Sequence, residues 1–170
     1  MTDTGLNGTA PEDTDLGTDP RHVEPAQDKA TFERWHHPRK QFIRLQQWCS
    51  QARSLIRELQ LPEGSIFSYL TLPGDEMLDI RALNGVCERE KVSLKYLGFN
   101  NVAPGTARSA ELNLSHSEVR DLPGVDRFST VLQEKLEAIG RRDSLAHHQM
   151  RQHGPFHAIN IDLCDSLTQP

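Results

Sequence analysis

FSYLTLPGDEMLDIR, Phe67 to Arg81, decides how the rest of this chain is read. A short apolar run leads into the turn pair Pro73-Gly74, and a segment with apolar residues at helical spacing follows. A strand, a glycine turn and a helix in that order form the front edge of a nucleotide- or cofactor-binding α/β unit. The strand is placed at Ile66 to Leu72. Asp75 is taken as the helix N-cap, and Met77, Leu78, Ala82, Leu83, Val86 and Cys87 as the buried side of the helix.

Outward from there the alternation continues. SLKYLGFN, Ser93 to Asn100, reads as a second strand ending in a polar residue. After the loop from Asn101 to Gly105, Ser115 to Glu118 has the S-x-x-E capping pattern and opens a short helix through Leu122. Phe128 to Leu132 reads as a third short strand. Asp143 caps a helix running to His153, which Gly154 stops, and Phe156 to Cys164 is the last strand. Strands alternating with helices at this spacing predict an α/β fold, a three-layer Rossmann-like parallel sheet of about four strands.

Before that unit, RKQFIRLQQWCSQARSLIRELQL follows Pro38 with apolar residues at Phe42, Leu45, Trp48, Cys49, Ala52, Leu55, Ile56 and Leu59. This spacing predicts a long amphipathic helix. Six basic and no acidic residues lie between Arg34 and Arg57. One reading makes Arg39, Lys40, Arg44, Arg53 and Arg57 contacts to nucleic acid or an acidic partner. The other makes them a solvated face whose stems cover core edges. His36 and His37 precede this helix and are assigned no metal.

Met1 to Thr31 carries seven acids against two bases, a net of −5 equal to that of the whole chain, while Phe32 to Pro170 is balanced. Residues 1–31 have almost no large apolar side chain and are expected to be a disordered acidic tail, with one domain over 32–170. The balanced charge of that domain argues against a dedicated nucleic-acid binder. The three cysteines form no CxxC pair, which points to a reducing cytoplasm rather than a zinc ribbon or a disulfide framework. No apolar run approaches the roughly 18 residues of a membrane span.

The pattern resembles the first half of a class I S-adenosylmethionine-dependent methyltransferase. HPRKQ (His37 to Gln41), Trp48, LTLPG with LDIR, LGFN, GPF (Gly154 to Phe156) and NIDLCD together look like an uncharacterised bacterial group with this fold, from about His37 to Leu167. The resemblance implies that Pro73, Gly74 and Asp75 hold the methionine part of S-adenosylmethionine and that Asn100 holds its ribose. It places Asn160, Asp162, Cys164 and Asp165 at the strand end that carries catalytic or substrate-contacting groups. The chain departs from the family in three ways. Its loop has the single Gly74, its second strand ends in Asn100 rather than an acid, and its sheet is incomplete. A truncated member, a domain completed by a protein partner, and a non-catalytic role all stay open.

The residues themselves narrow the cofactor. Helix N-termini favour anions, but Asp75, Glu76 and Asp79 crowd this one with negative charge. A pyrophosphate is repelled, whereas the sulfonium and ammonium of adenosylmethionine are helped. Glu76 and Asp79 are read first as ordinary complements of the helix dipole, whereas Gly74 and Asp75 are read as functional. In NIDLCD, Asn160 and Asp162 interrupt an apolar strand, which marks either a site or an edge strand with one wet face. Cys164 reads as a small buried hydrophobe, because Asp162 and Asp165 disfavour its thiolate. His147, His148, His153 and His157 miss the i, i+4 register of a helical metal pair and read as a solvated turn.

Overall fold

The computed structural model describes residues 36–161. The acidic tail, Asp162, Cys164 and Asp165 therefore lie outside the described residues. Four strands, β1 (Ile66–Thr71), β2 (Ser93–Phe99), β3 (Thr130–Leu132) and β4 (Ala158–Asn160), form one sheet in the order β3-β2-β1-β4. Every pairing is parallel. Of the five α-helices in the described residues, α1 (His36–Phe42) and α2 (Cys49–Glu58) precede the sheet. Then α3 (Leu78–Arg89), α4 (Ala107–Arg120) and α5 (Leu145–His153) link the strands.

Alternation of side chains along β1 and β2 feeds two separate cores, so the domain is three-layered. Phe67, Tyr69, Leu94 and Tyr96 pack with Cys49, Ala52 and Ile56 of α2, Ile80 and Val86 of α3, and Leu112 and Val119 of α4. Leu70, Leu97 and Phe99 point the other way, against Ala146 of α5 and Ala138 in the 3-10 turn Leu136–Gly140. A strand covered on both faces carries a near-continuous apolar run, and β1 is buried from Phe67 onward. Because β2 lies on one side of β1 and β4 on the other, the chain reverses direction across the sheet at the β1–β4 boundary. That boundary is a topological switch point, where open α/β sheets place their ligands.

Several local expectations are corrected. Asp75 is not the cap of α3. Met77 occupies the N-cap position with φ 53 and ψ 35, a left-handed conformation, and makes no side-chain cap bond. A bulky residue there costs on the order of 1–3 kcal/mol, and the complete burial of Met77 among core side chains offsets it. Leu78, expected inside, is 42% exposed. The S-x-x-E pattern at Ser115 does not start a helix: α4 begins at Ala107, capped by Thr106, whose hydroxyl accepts from the Ser109 amide. Ser144 rather than Asp143 caps α5, accepting from the His147 amide. Phe128 stays outside β3 and is exposed, and the described part of the last strand is only Ala158–Asn160.

The amphipathic segment is helical as expected, but a π-helical stretch, Ile43–Trp48, interrupts it between α1 and α2. The extra residue per turn rotates the apolar stripe. Cys49, Ala52 and Ile56 are buried, whereas Phe42, Leu45 and Trp48 are exposed.

Candidate ligand site at the β1–β4 switch point

Two polar clusters lie at the carboxyl ends of the strands. The first gathers the loop residues singled out above. Asn100, just after β2, donates from Nδ2 to the Pro73 carbonyl at 2.9 Å and to Asp75 Oδ1 at 3.3 Å. Its Oδ1 accepts the Val102 amide at 2.9 Å. Arg108 at the start of α4 closes the cluster, donating to both Asp75 oxygens at 2.8 and 3.1 Å. Gly98 lets the loop settle: a Cβ there would lie 3.0 Å from Pro73 Cγ and from Val131 Cγ2. Pro73, Gly74, Asp75 and Asn100 are thus brought together, but the polar groups of Asp75 and Asn100 are taken up by one another, by backbone and by Arg108. Gly74 alone is exposed, with open space where a side chain would stand.

The second cluster borders a groove of about 250 Å³ between α2 and the edge strand β4. Its walls are mostly apolar, with Trp48, Ala52, Leu55 and Leu83 facing Ala158 and Ile159. Its polar lining comes from Arg44, Gln51, Tyr69, Asp79 and His157. Thr71 donates its hydroxyl to Asp79 Oδ2 at 2.6 Å. Burial pushes the Asp79 carboxyl above the usual carboxylate range, against the pull of Thr71, the Ile80 amide and Arg44. Tyr69 is raised as well, by burial first and then by Asp79, while hydrogen bonding with Thr71 and Asn160 opposes the rise. Asn160 is 6% exposed, and its Oδ1 has no partner among the described residues.

His157 is held structurally. Its Nδ1 accepts the Ser68 amide at 2.9 Å, and its ring stacks on Phe67 at 5.5 Å. Cys49, beside the groove, is raised by burial, and Cys87 is pushed up to about 12, so neither offers a thiolate near neutrality. The described residues contain no group of three or more metal-ligating side chains.

The basic flank of the helix is partly engaged within the molecule. Arg57 forms a two-pronged pair with Glu90 at 2.9 and 2.7 Å, and Arg53 approaches the same carboxylate at 3.8 Å. Arg44 turns to Gln41 and into the groove. Lys40 interacts within the protein, and the side chain of Arg39 lies outside the description.

Sequence reading named Asp79 but gave it no partner, and it missed Tyr69, Thr71 and Arg108. A signal was present for two of them: strand alternation puts Tyr69 and Thr71 on the face of β1 that α3 covers. Arg108 had none, because its pairing with Asp75 joins residues 33 apart.

Together the parallel sheet, the two helical layers and the groove at the strand reversal define a Rossmann-like α/β domain with a candidate ligand site. The chain belongs to the PP_RS20740-like family, whose model matches residues 29–170. No curated protein and no solved structure gives a significant match. No helix among the described residues is long and apolar enough to cross a membrane.

Proposed function

We propose that this domain binds S-adenosylmethionine at the β1–β4 switch point, with the Asp79 carboxylate as counter-charge to the ligand's cationic groups. The observation that carries the reading is the half-buried Asp79, held by Thr71 on the wall of the groove. An acid in the first turn of the helix after β1 repels a pyrophosphate from the place where dinucleotides sit, and it stabilises a cation there. Desolvation makes that carboxylate costly alone, so an incoming sulfonium or ammonium relieves a cost the protein already carries.

The fit is partial and specific. The Trp48 ring and the apolar walls suit the adenine, and the Asn160 oxygen, without a partner among the described residues, offers an acceptor at the end of β4. The groove is smaller than the roughly 300–1,000 Å³ of ordinary ligand pockets. It therefore holds one end of the ligand, and the other extends along the open side of β4. Asn100 and Asp75 hold the loop rather than the ribose, and Gly74 leaves room beside it. When bound, adenosylmethionine supplies an electrophilic methyl group. Of the positions tied to the transfer step, Asp162 and Asp165 lie outside the described residues.

The alternative, a nucleic-acid or partner contact through the basic helix, has less support because Glu90 engages Arg57 and Arg53. Calorimetry separates the two. Adenosylmethionine is expected to bind more tightly than adenosylhomocysteine, which lacks the sulfonium charge, and Asp79→Asn is expected to remove the difference. Absence of heat and of a thermal shift for both ligands at millimolar concentration, with a folded protein, would reject the proposal.

A further inference from the structure

The opposite face of the sheet carries a second concavity, of about 430 Å³, within the size range of small-molecule pockets. It lies where α5 leaves the sheet partly uncovered beside β3. Lys95 and Thr130 form its floor, sharing the face of Leu97, which pairs with Thr130 in register. Gln149 and Gln152 of α5 overhang one side, and Phe128, 61% exposed, stands at the mouth.

Three features of its chemistry agree. Lys95 is half-buried, and among the described residues it has no ion pair or hydrogen bond; its electrostatic neighbour is His153, which it opposes. No carboxylate among the described residues pairs with this half-buried ammonium, although Asp126 lies on the neighbouring segment, so an anion in the cleft would be stabilised by it. His153 is 7% exposed, and its Nδ1 has no partner among the described residues. Burial, followed by Lys95, holds its imidazole below the usual range, so it meets the cleft as a neutral ring. Finally, no acidic side chain lines the cleft. The acid acting on His153, Asp126, is turned to the Phe128 amide at 2.8 Å. A second cation is close to the mouth: the Arg127 guanidinium lies over the Phe128 ring at 4.8 Å. Among the described residues this lining is cationic and amide-rich, and it favours a negative group.

We propose that this cleft is a second ligand site, which takes a planar ring bearing one anionic group. Lys95 pairs with the anion, the carboxamides of Gln149 and Gln152 read the polar edge of the ring, and Phe128 with Leu132 covers its apolar face. A nucleoside monophosphate and an aromatic carboxylate share this chemistry. The site stands apart from the groove at β4, so it holds whether or not adenosylmethionine binds there.

Titration of the full chain with cytidine monophosphate and, separately, with benzoate, followed by amide chemical shifts, tests it. At least one probe is expected to give saturable shifts centred on Lys95, Thr130, Gln149 and His153, and which one does identifies phosphate or carboxylate as the anion. Lys95→Met should weaken that probe about tenfold, the loss of one charge-assisted hydrogen bond, and Lys95→Arg should retain it. No saturable shift from either probe at millimolar concentration, or shifts centred elsewhere, overturns the proposal. Binding that Lys95→Met leaves unchanged overturns it too. If that variant does not fold, the location of the wild-type shifts decides.

Discussion

The two sides of β1 are built differently. Toward β2 the strand pairs over its full length, from Ile66 with Ser93 to Thr71 with Gly98, and α3 and α4 bury what lies beneath. Toward β4 it pairs at three positions among the described residues, and several apolar residues around that edge are exposed. Phe67, Leu94 and Tyr96 are fully buried, whereas Ile159 is 52% exposed, Ile161 47% and Trp48 41%. The same residue types thus hold the fold together on one side and leave a groove on the other. Stability and the candidate adenosylmethionine site occupy different halves of one sheet.

The largest test of this contrast compares Phe67 with Trp48. Phe67→Ala removes a fully buried ring that also stacks on His157. It is expected to cost about 3–5 kcal/mol in denaturant unfolding. Trp48→Ala should cost well under half of that while weakening adenosylmethionine binding. Equal losses at the two positions would erase the distinction between the halves. Next is Gly98→Ala, whose Cβ meets Pro73 and Val131 at 3.0 Å. Overpacking of this kind costs about 1–3 kcal/mol, and the shift should appear at Pro73 and Asp75 in amide spectra.

Asp79 gives a smaller effect of opposite sign. Its folded pKa is raised above the usual carboxylate range, mainly by desolvation. The ionised form is therefore disfavoured in the folded state, so its destabilising effect grows as pH rises from the unfolded value through the folded one. Asp79→Asn should raise the melting temperature at neutral pH, and the gain should vanish in acid, below the unfolded pKa. A variant that melts lower at pH 7 would show that the Thr71 bond outweighs desolvation. Smallest is the ion pair that closes the loop on the covered side. Arg108→Ala removes a partner of Asp75 whose own side chain is 55% exposed, so solvent screening limits the cost to about 1 kcal/mol or less.

How much was legible depended on the range of the interaction involved. β1 and β2 were read almost to the residue, since burial on both faces writes a mostly apolar run, broken only by Ser68 in β1 and by Lys95 and Gly98 in β2. The helices were found by periodicity, but their starts were misread. Thr106 and Ser144 cap through local hydroxyl-to-amide bonds no different in type from those available at Ser115 and Asp143. The choice among them is made by packing: Leu112 and Val119 are buried seven residues apart, which requires α4 to begin well before Ser115. The candidate site was half legible. Its loop and its acids stood in the quoted stretch, while the engagement of Asn100, Asp75 and Arg108 with one another did not.

By itself, then, the amino-acid order determined the class of the molecule: parallel strands alternating with helices, a glycine turn after the first strand, and acids where phosphates bind in other α/β proteins. These follow from side-chain periodicity and local backbone preference, which act over a few residues. Only the tertiary structure decided which acid is desolvated against a threonine, which cations are engaged, and which apolar residues are left exposed. Glu90 holds Arg57 across 33 positions, Thr71 meets Asp79 across a turn, and β4 is the edge strand among the described residues. The physical reason is that desolvation and pairing depend on what the rest of the chain places within a few ångströms, which no local pattern encodes.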